Sequence, residues 1–156
     1  MPLISERDRT YLIEHFEQEL VHDVRLALFR QRASGLYLPG QPPPTQSHTF
    51  AEQTRQILEE VASLSPKLSV EVHDVVQERQ LAQQYKIDRS PTTLLLNGSA
   101  DGRVRFVGIP SGYEFAALIA DIIDVSKGTN ALSEETRSAL GELTTPVHIQ
   151  VFVTPT

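Results

Sequence analysis

The 156-residue sequence contains no cysteine at all. Without a thiol the chain can close no disulfide, hold no metal through thiolate and run no mechanism built on a sulfur nucleophile. It also lacks any apolar run long enough to span a bilayer. The opening stretch MPLISERDRT has no apolar core of the kind an export signal needs, so a cytoplasmic location is expected. Positive charge is in deficit: the formal net charge of -6 argues against nucleic acid and against anionic membrane surfaces as partners. Five histidines, His15, His22, His48, His73 and His148, show no metal-ligand spacing. Neither a metal nor another cofactor is therefore expected.

What is present fits an ordinary folded domain. A hydrophobic content of 40% and a charged content of 22% over this length allow about one domain with a real core. Ser5 opens a helix over 6–20 whose Leu12, Ile13, Phe16 and Leu20 recur at helical spacing. VRLALFR (24–30) reads as a central strand. Residues 31–48, QRASGLYLPGQPPPTQSH, break the pattern; three consecutive prolines favour polyproline II, and a mobile, dispensable loop is expected. Thr49-Phe50-Ala51-Glu52 is a capping box that would start a helix running to Leu64, with Phe50, Ile57, Leu58 and Val61 as its apolar stripe.

KLSVEVHDV (67–75) alternates apolar and polar residues, the period of a strand. A short helix over 78–86 follows. Ser90-Pro91-Thr92 then opens an apolar run through Leu96, consistent with a strand covered on both faces, with proline tolerated at its first residue. Asn97-Gly98 and Asp101-Gly102 mark a hairpin turn before a return strand over 103–107. Ser111-x-x-Glu114 is a second capping box, ahead of a helix that Lys127-Gly128 closes. A further helix over 133–143 precedes the alternating run VHIQVFV (147–153).

Residues 24–126 thus read β-α-β-α-β-β-α, with a proline opening the third strand. On the stretches LISERD, YKIDRSPTT, VRFVGIPSGYEFAALIADIIDVS and VHIQVFVTPT, the chain resembles the thermophile-type protein disulfide oxidoreductases, or glutaredoxin-like domain proteins. The resemblance implies an α/β, thioredoxin/glutaredoxin-like fold. Its parts would be an N-terminal helix, a central mixed four-stranded sheet flanked by helices, and an extra C-terminal helix and strand. It implies a cis Ser90-Pro91 bond. It further implies a thioredoxin-like domain over 1–127, followed over 128–156 by a linker helix and the orphan first strand of a second, missing unit.

The resemblance also makes the departures specific. Family members carry Cys-X-X-Cys between the first strand and the next helix, where a helix N-terminus favours the thiolate. Here that place is 31–48, and it holds no cysteine. The expected function is therefore a redox-inactive module, structural or binding a partner. Ser90, Pro91 and Thr92 would form a residual groove for an extended peptide. A second reading is that of one part of an oxidoreductase whose active pair lies in an absent unit. A third is a glutathione-transferase-like use of Ser34, Tyr37 or Ser47. Asp74 reads as a buried carboxylate without a cysteine to serve, Asp88-Arg89 as a local ion pair, and Glu59-Glu60 as a solvated face. The 147–153 run, with one wholly apolar face, is expected to pair with a second copy as a homodimer.

Overall fold

The apolar stretch Val24–Arg30 forms strand β1, and its near-continuous hydrophobicity is explained by its position inside a sheet covered on both faces. In the computed structural model, residues 3–31, 46–129 and 132–152 are described. Helix α1 (Glu6–Glu19) precedes β1 and is capped as its sequence predicts, with Ser5 Oγ accepting from the Asp8 N–H at 3.2 Å. Then come α2 (Gln46–Ala62), β2 (Leu68–Asp74), α3 (Arg79–Gln84), β3 (Thr92–Asn97), β4 (Ser99–Val107), α4 (Tyr113–Lys127) and α5 (Glu134–Gly141).

The four strands make one mixed sheet in the order β2-β1-β3-β4. Strand β1 runs parallel to β2, with Leu26 beside Val70, and antiparallel to β3, with Leu26 beside Leu95. Side-chain alternation then divides the core. Leu26, Leu28 and Leu95 face α1, α2 and α4, where Phe16, Leu58, Val61, Leu118 and Ile122 close over them. Ala27, Phe29, Leu94 and Leu96 face the other way, against Ala82 of α3 with Leu81, Tyr85 and Ile87 at the edge. Each such fully buried leucine or phenylalanine contributes on the order of 1.5–3 kcal/mol.

Several boundaries differ from the sequence reading. Helix α2 starts at Gln46, three residues before the capping box, so Thr49 lies inside it. Its buried stripe is Ala51, Thr54, Ile57, Leu58 and Val61, while Phe50 is exposed. At the start of α4 the cap position is Gly112, at φ +61°, with no side-chain hydrogen bond; Ser111 does not cap. The end of α4 is as expected, on left-handed Gly128. Strand β4 begins already at Ser99, so Asp101 and Gly102 are strand rather than turn, and Gly98 takes a positive φ at the reversal.

The C-terminal run also differs. Residues 145–152 form no strand in the single chain, and every described residue from Leu132 onward is exposed, including all of α5. A β-run needs a ladder partner, and none of the four strands supplies one. Val153 and residues 32–45 of the proline-rich segment, with Ser34 and Tyr37, lie outside the described residues. No helix among the described residues is long and apolar enough to cross a membrane.

Candidate functional site

The C-terminal end of β1 is where the sequence places the departure from thiol chemistry, and four elements converge on it. The Arg30 carbonyl accepts from the Val75 N–H at 3.0 Å, tying β1 to the exit of β2. One residue on, the Gln31 N–H donates to Ser90 Oγ at 3.0 Å, tying β1 to the loop before β3. The Ser90–Pro91 peptide bond is cis. The Pro91 carbonyl accepts from the Gly108 N–H at 2.9 Å, bringing in the end of β4. Thr54 Oγ1 completes the ring from α2, donating to the Phe50 carbonyl at 2.7 Å and lying 3.4 Å from the Gly108 carbonyl.

These bonds bring together Ser90, Pro91 and Thr92 but give them unequal access. Pro91 and Thr92 are buried, whereas Ser90 is half-buried. Thr92 pairs with Phe29 on one side and Val107 on the other, and its hydroxyl donates to the Arg89 carbonyl at 2.8 Å. Thr92 is thus engaged by the sheet and by its own turn. Exposed apolar side chains stand around the ring, namely Phe50, Val76 and Val107.

The electrostatics were not foreseen. Arg30 Nη1 donates to Glu52 Oε2 at 2.8 Å; Arg55 clasps Glu52 at 2.5 Å and reaches Glu59 at 2.5 Å. The Arg55 hydrogen bond, with Arg30 adding to it, holds the Glu52 carboxyl below its ordinary range despite some burial. Arg55 is in turn pushed up by Glu52 and Glu59. The i,i+3 spacing of Glu52 and Arg55 was a readable signal; the arrival of Arg30 needed the tertiary structure. Of the supposed solvated pair, Glu59 belongs to this network. Glu60 instead accepts from the Leu3 and Ile4 N–H groups at 2.7 and 3.2 Å, fastening the chain start to α2.

Beside the ring lies a second cluster. His73 stacks on Phe29, with centroids 4.9 Å apart, and its Nδ1 is 2.7 Å from Glu78 Oε2. That bond is the main reason the Glu78 carboxyl lies below its ordinary range. Asp74 is buried as expected, and its Oδ1 accepts from the Val76 and Gln77 N–H groups, so it shapes the turn into α3. Asp88 and Arg89 are both exposed and make no ion pair with each other. Among the described residues no group of three histidines or carboxylates could hold a metal ion. The hydroxyls and guanidiniums here are engaged in structural bonds, and nothing among them has the base-and-nucleophile arrangement of covalent catalysis.

Known proteins place this geometry. No known family profile and no curated protein sequence matches the chain. Among solved structures it is similar to a protein disulfide oxidoreductase from Aeropyrum pernix, at 26% identity and a TM-score of 0.70, over 89% of this chain and 55% of that one. It is similar also to the N-terminal domain of the alkylhydroperoxide reductase AhpF of Enterococcus faecalis, at 24% identity and a TM-score of 0.67, over 86% of this chain and 58% of that one. A second structure of AhpF from that organism gives 24% and 0.69, over 90% and 61%. The chain has a thioredoxin-like fold resembling that of disulfide oxidoreductases, and it carries no cysteine. It spans between 55% and 61% of the length of these three chains.

Proposed function

We propose that the chain is a redox-inactive thioredoxin-fold module that binds a partner, and that the partner presents an extended peptide to the Ser90 face. Thiol–disulfide exchange runs through a mixed disulfide, and a chain with no cysteine has no atom to form one. The observation that carries the binding reading is the half-buried Ser90, held in place by the Gln31 N–H and flanked by exposed Phe50, Val76 and Val107. Polar groups beside exposed apolar side chains suit the capture of an extended peptide. Of the arginines nearby, Arg30 and Arg55 are matched by carboxylates, while Arg89 is exposed.

The test is a titration of isotope-labelled chain with reduced, carboxymethylated polypeptide, followed by amide chemical shifts. Changes should concentrate at Gln31, Phe50, Ser90 and Gly108, and Ser90→Arg should weaken binding about tenfold, or about 1.4 kcal/mol. Shifts that are absent or scattered elsewhere defeat the reading. An insulin-reduction assay with dithiothreitol should match its protein-free control.

A second reading is favoured by the fraction of the solved relatives that the chain covers. In it, the module is one part of an oxidoreductase whose reacting pair lies elsewhere, and the Ser90 face positions substrate for it. The intact mass of the native protein separates the two: a mass near twice that of this chain favours the second reading.

A further inference from the structure

Charge is unevenly spread along the chain. Residues 79–112 hold five of its 14 lysines and arginines but only two of its 20 aspartates and glutamates, so a chain of net charge -6 carries a positive segment. The fold gathers three of the five beside the Ser90 face. Arg105 donates to the Lys86 and Tyr85 carbonyls, each at 3.4 Å, which brings its guanidinium against Lys86 at the end of α3. Arg89 follows Lys86 by three residues, a stretch of chain that reaches at most about 11 Å, close to the Debye length of about 8–10 Å. Lys86, Arg89 and Arg105 are all exposed, with Asp88 as the one carboxylate between the first two in sequence. Strand β4 joins this rim to the Ser90 face. Val104 and Phe106 turn to the main core, so Arg105 and Val107, which alternate with them, project to the opposite side of the sheet. Val107 pairs with Thr92, next to Pro91.

We propose that the partner peptide of the Ser90 face is acidic beyond its apolar contact: aspartate or glutamate side chains meet Lys86, Arg89 and Arg105, while an apolar side chain covers Val107. This rests on the peptide-binding reading above and gives its partner a composition. Like charges gathered on one rim repel one another, and an anionic partner relieves that repulsion. Adjacent side chains on one face of a strand stand about 7 Å apart, the spacing of alternate residues in an extended peptide. A peptide reaching from Val107 to Arg105 therefore alternates apolar and acidic positions. A nucleic acid suits the rim less well. Its charge is continuous, and the acidic remainder of the chain repels whatever extends past the rim. Charges at such a rim act mainly on the association rate and on its salt dependence.

The test uses three extended peptides that share one apolar core and differ in flanks of aspartate, serine or lysine, each titrated into the isotope-labelled full chain. The aspartate peptide should bind at least about tenfold tighter than the serine peptide at low salt, and the gap should close at high salt. Amide shifts should reach Lys86, Arg89 and Arg105 as well as Ser90. Arg89→Glu should remove most of the gap and turn the preference toward the lysine peptide; Lys86→Glu should narrow it. Both positions are exposed, so both variants should keep the parent's melting curve. Equal binding of the three peptides at Ser90 overturns the acidic composition and leaves the peptide reading standing, whereas no binding by any of them overturns both. A gap that Arg89→Glu leaves unchanged also defeats the proposal. So does displacement of the aspartate peptide by a thymidine oligonucleotide of equal charge, which assigns the rim to nucleic acid.

Discussion

The two ends of the sheet are fastened by different means. At the start of β1 the buried side-chain bonds are neutral, while Lys67 Nζ donates to the Leu20 carbonyl at 2.5 Å and Lys127 pairs with Glu19 nearer the surface. Ser126 of α4 is fully buried; its Oγ accepts from the Val21 and His22 N–H groups, each at 3.0 Å, and donates to the His22 carbonyl. Asn97 Nδ2 donates to the Val125 carbonyl at 2.6 Å close by. At the end of β1 the bonds are charged and wet: Arg30, Glu52, Arg55 and Glu59 form a chain of partly exposed ion pairs around the half-buried Ser90. Buried polar groups are costly to orphan, whereas exposed ion pairs contribute little. The first end therefore holds the fold, and the second shapes a surface that solvent and partners can reach.

The largest expected effect is at the start of β1. Ser126→Ala leaves two backbone N–H groups and a carbonyl without their partner, and should cost about 2–3 kcal/mol in urea unfolding. A loss below about 0.5 kcal/mol would remove the contrast between the ends.

Thr93 sharpens the comparison from inside the sheet. It is fully buried between Leu28 and Phe106 in register, and its Oγ1 has no hydrogen-bond partner among the described residues. Replacing it by isosteric valine removes a buried polar atom without removing a bond. Thr93→Val should raise stability by up to about 1 kcal/mol. A clear loss instead would show that the hydroxyl holds something in solution.

The smallest effect is at the wet end. Glu52→Gln should cost under about 1 kcal/mol at neutral pH, less in high salt. Its stronger signature is in acid. Glu52 and Glu78 both have folded-state pKa values below the ordinary 4.5, Glu52 through Arg55 and Glu78 through His73. A depressed carboxyl stabilises above its unfolded pKa, and that contribution is lost as pH falls through the folded value. Amide exchange at Gln31 and Asp74 should therefore accelerate as pH falls below 4.5; Glu19, lowered through Lys127, adds an acid-sensitive contact at the other end. Exchange at Gln31 and Asp74 that acid leaves unchanged would contradict the assignment.

Much of the molecule was readable before any coordinates. Period-two alternation in 68–74 and the apolar runs 24–30 and 92–97 located the strands, because burial on one or both faces leaves its mark in the residue pattern. Helix starts were less readable. Both capping boxes, at Thr49 and Ser111, were passed over, since packing against the sheet sets where a helix begins and a cap adds only about 1 kcal/mol. Of the candidate site, the proline and Ser90 were visible. That Thr92 is consumed by the ladder was not, because its two neighbours lie far away along the chain.

By itself the sequence determined that no thiol chemistry belongs to this chain and that its strands and helices alternate on one thioredoxin-like plan. Composition and periodicity are local quantities, so a reading of the residues suffices. Only the tertiary structure decided that Ser126 closes the α1–β1 turn from 104 positions away, that Arg30 meets Glu52, and that Arg105 lies against Lys86. Those are relations between segments brought together by burial of the core, and no single stretch of the chain encodes them.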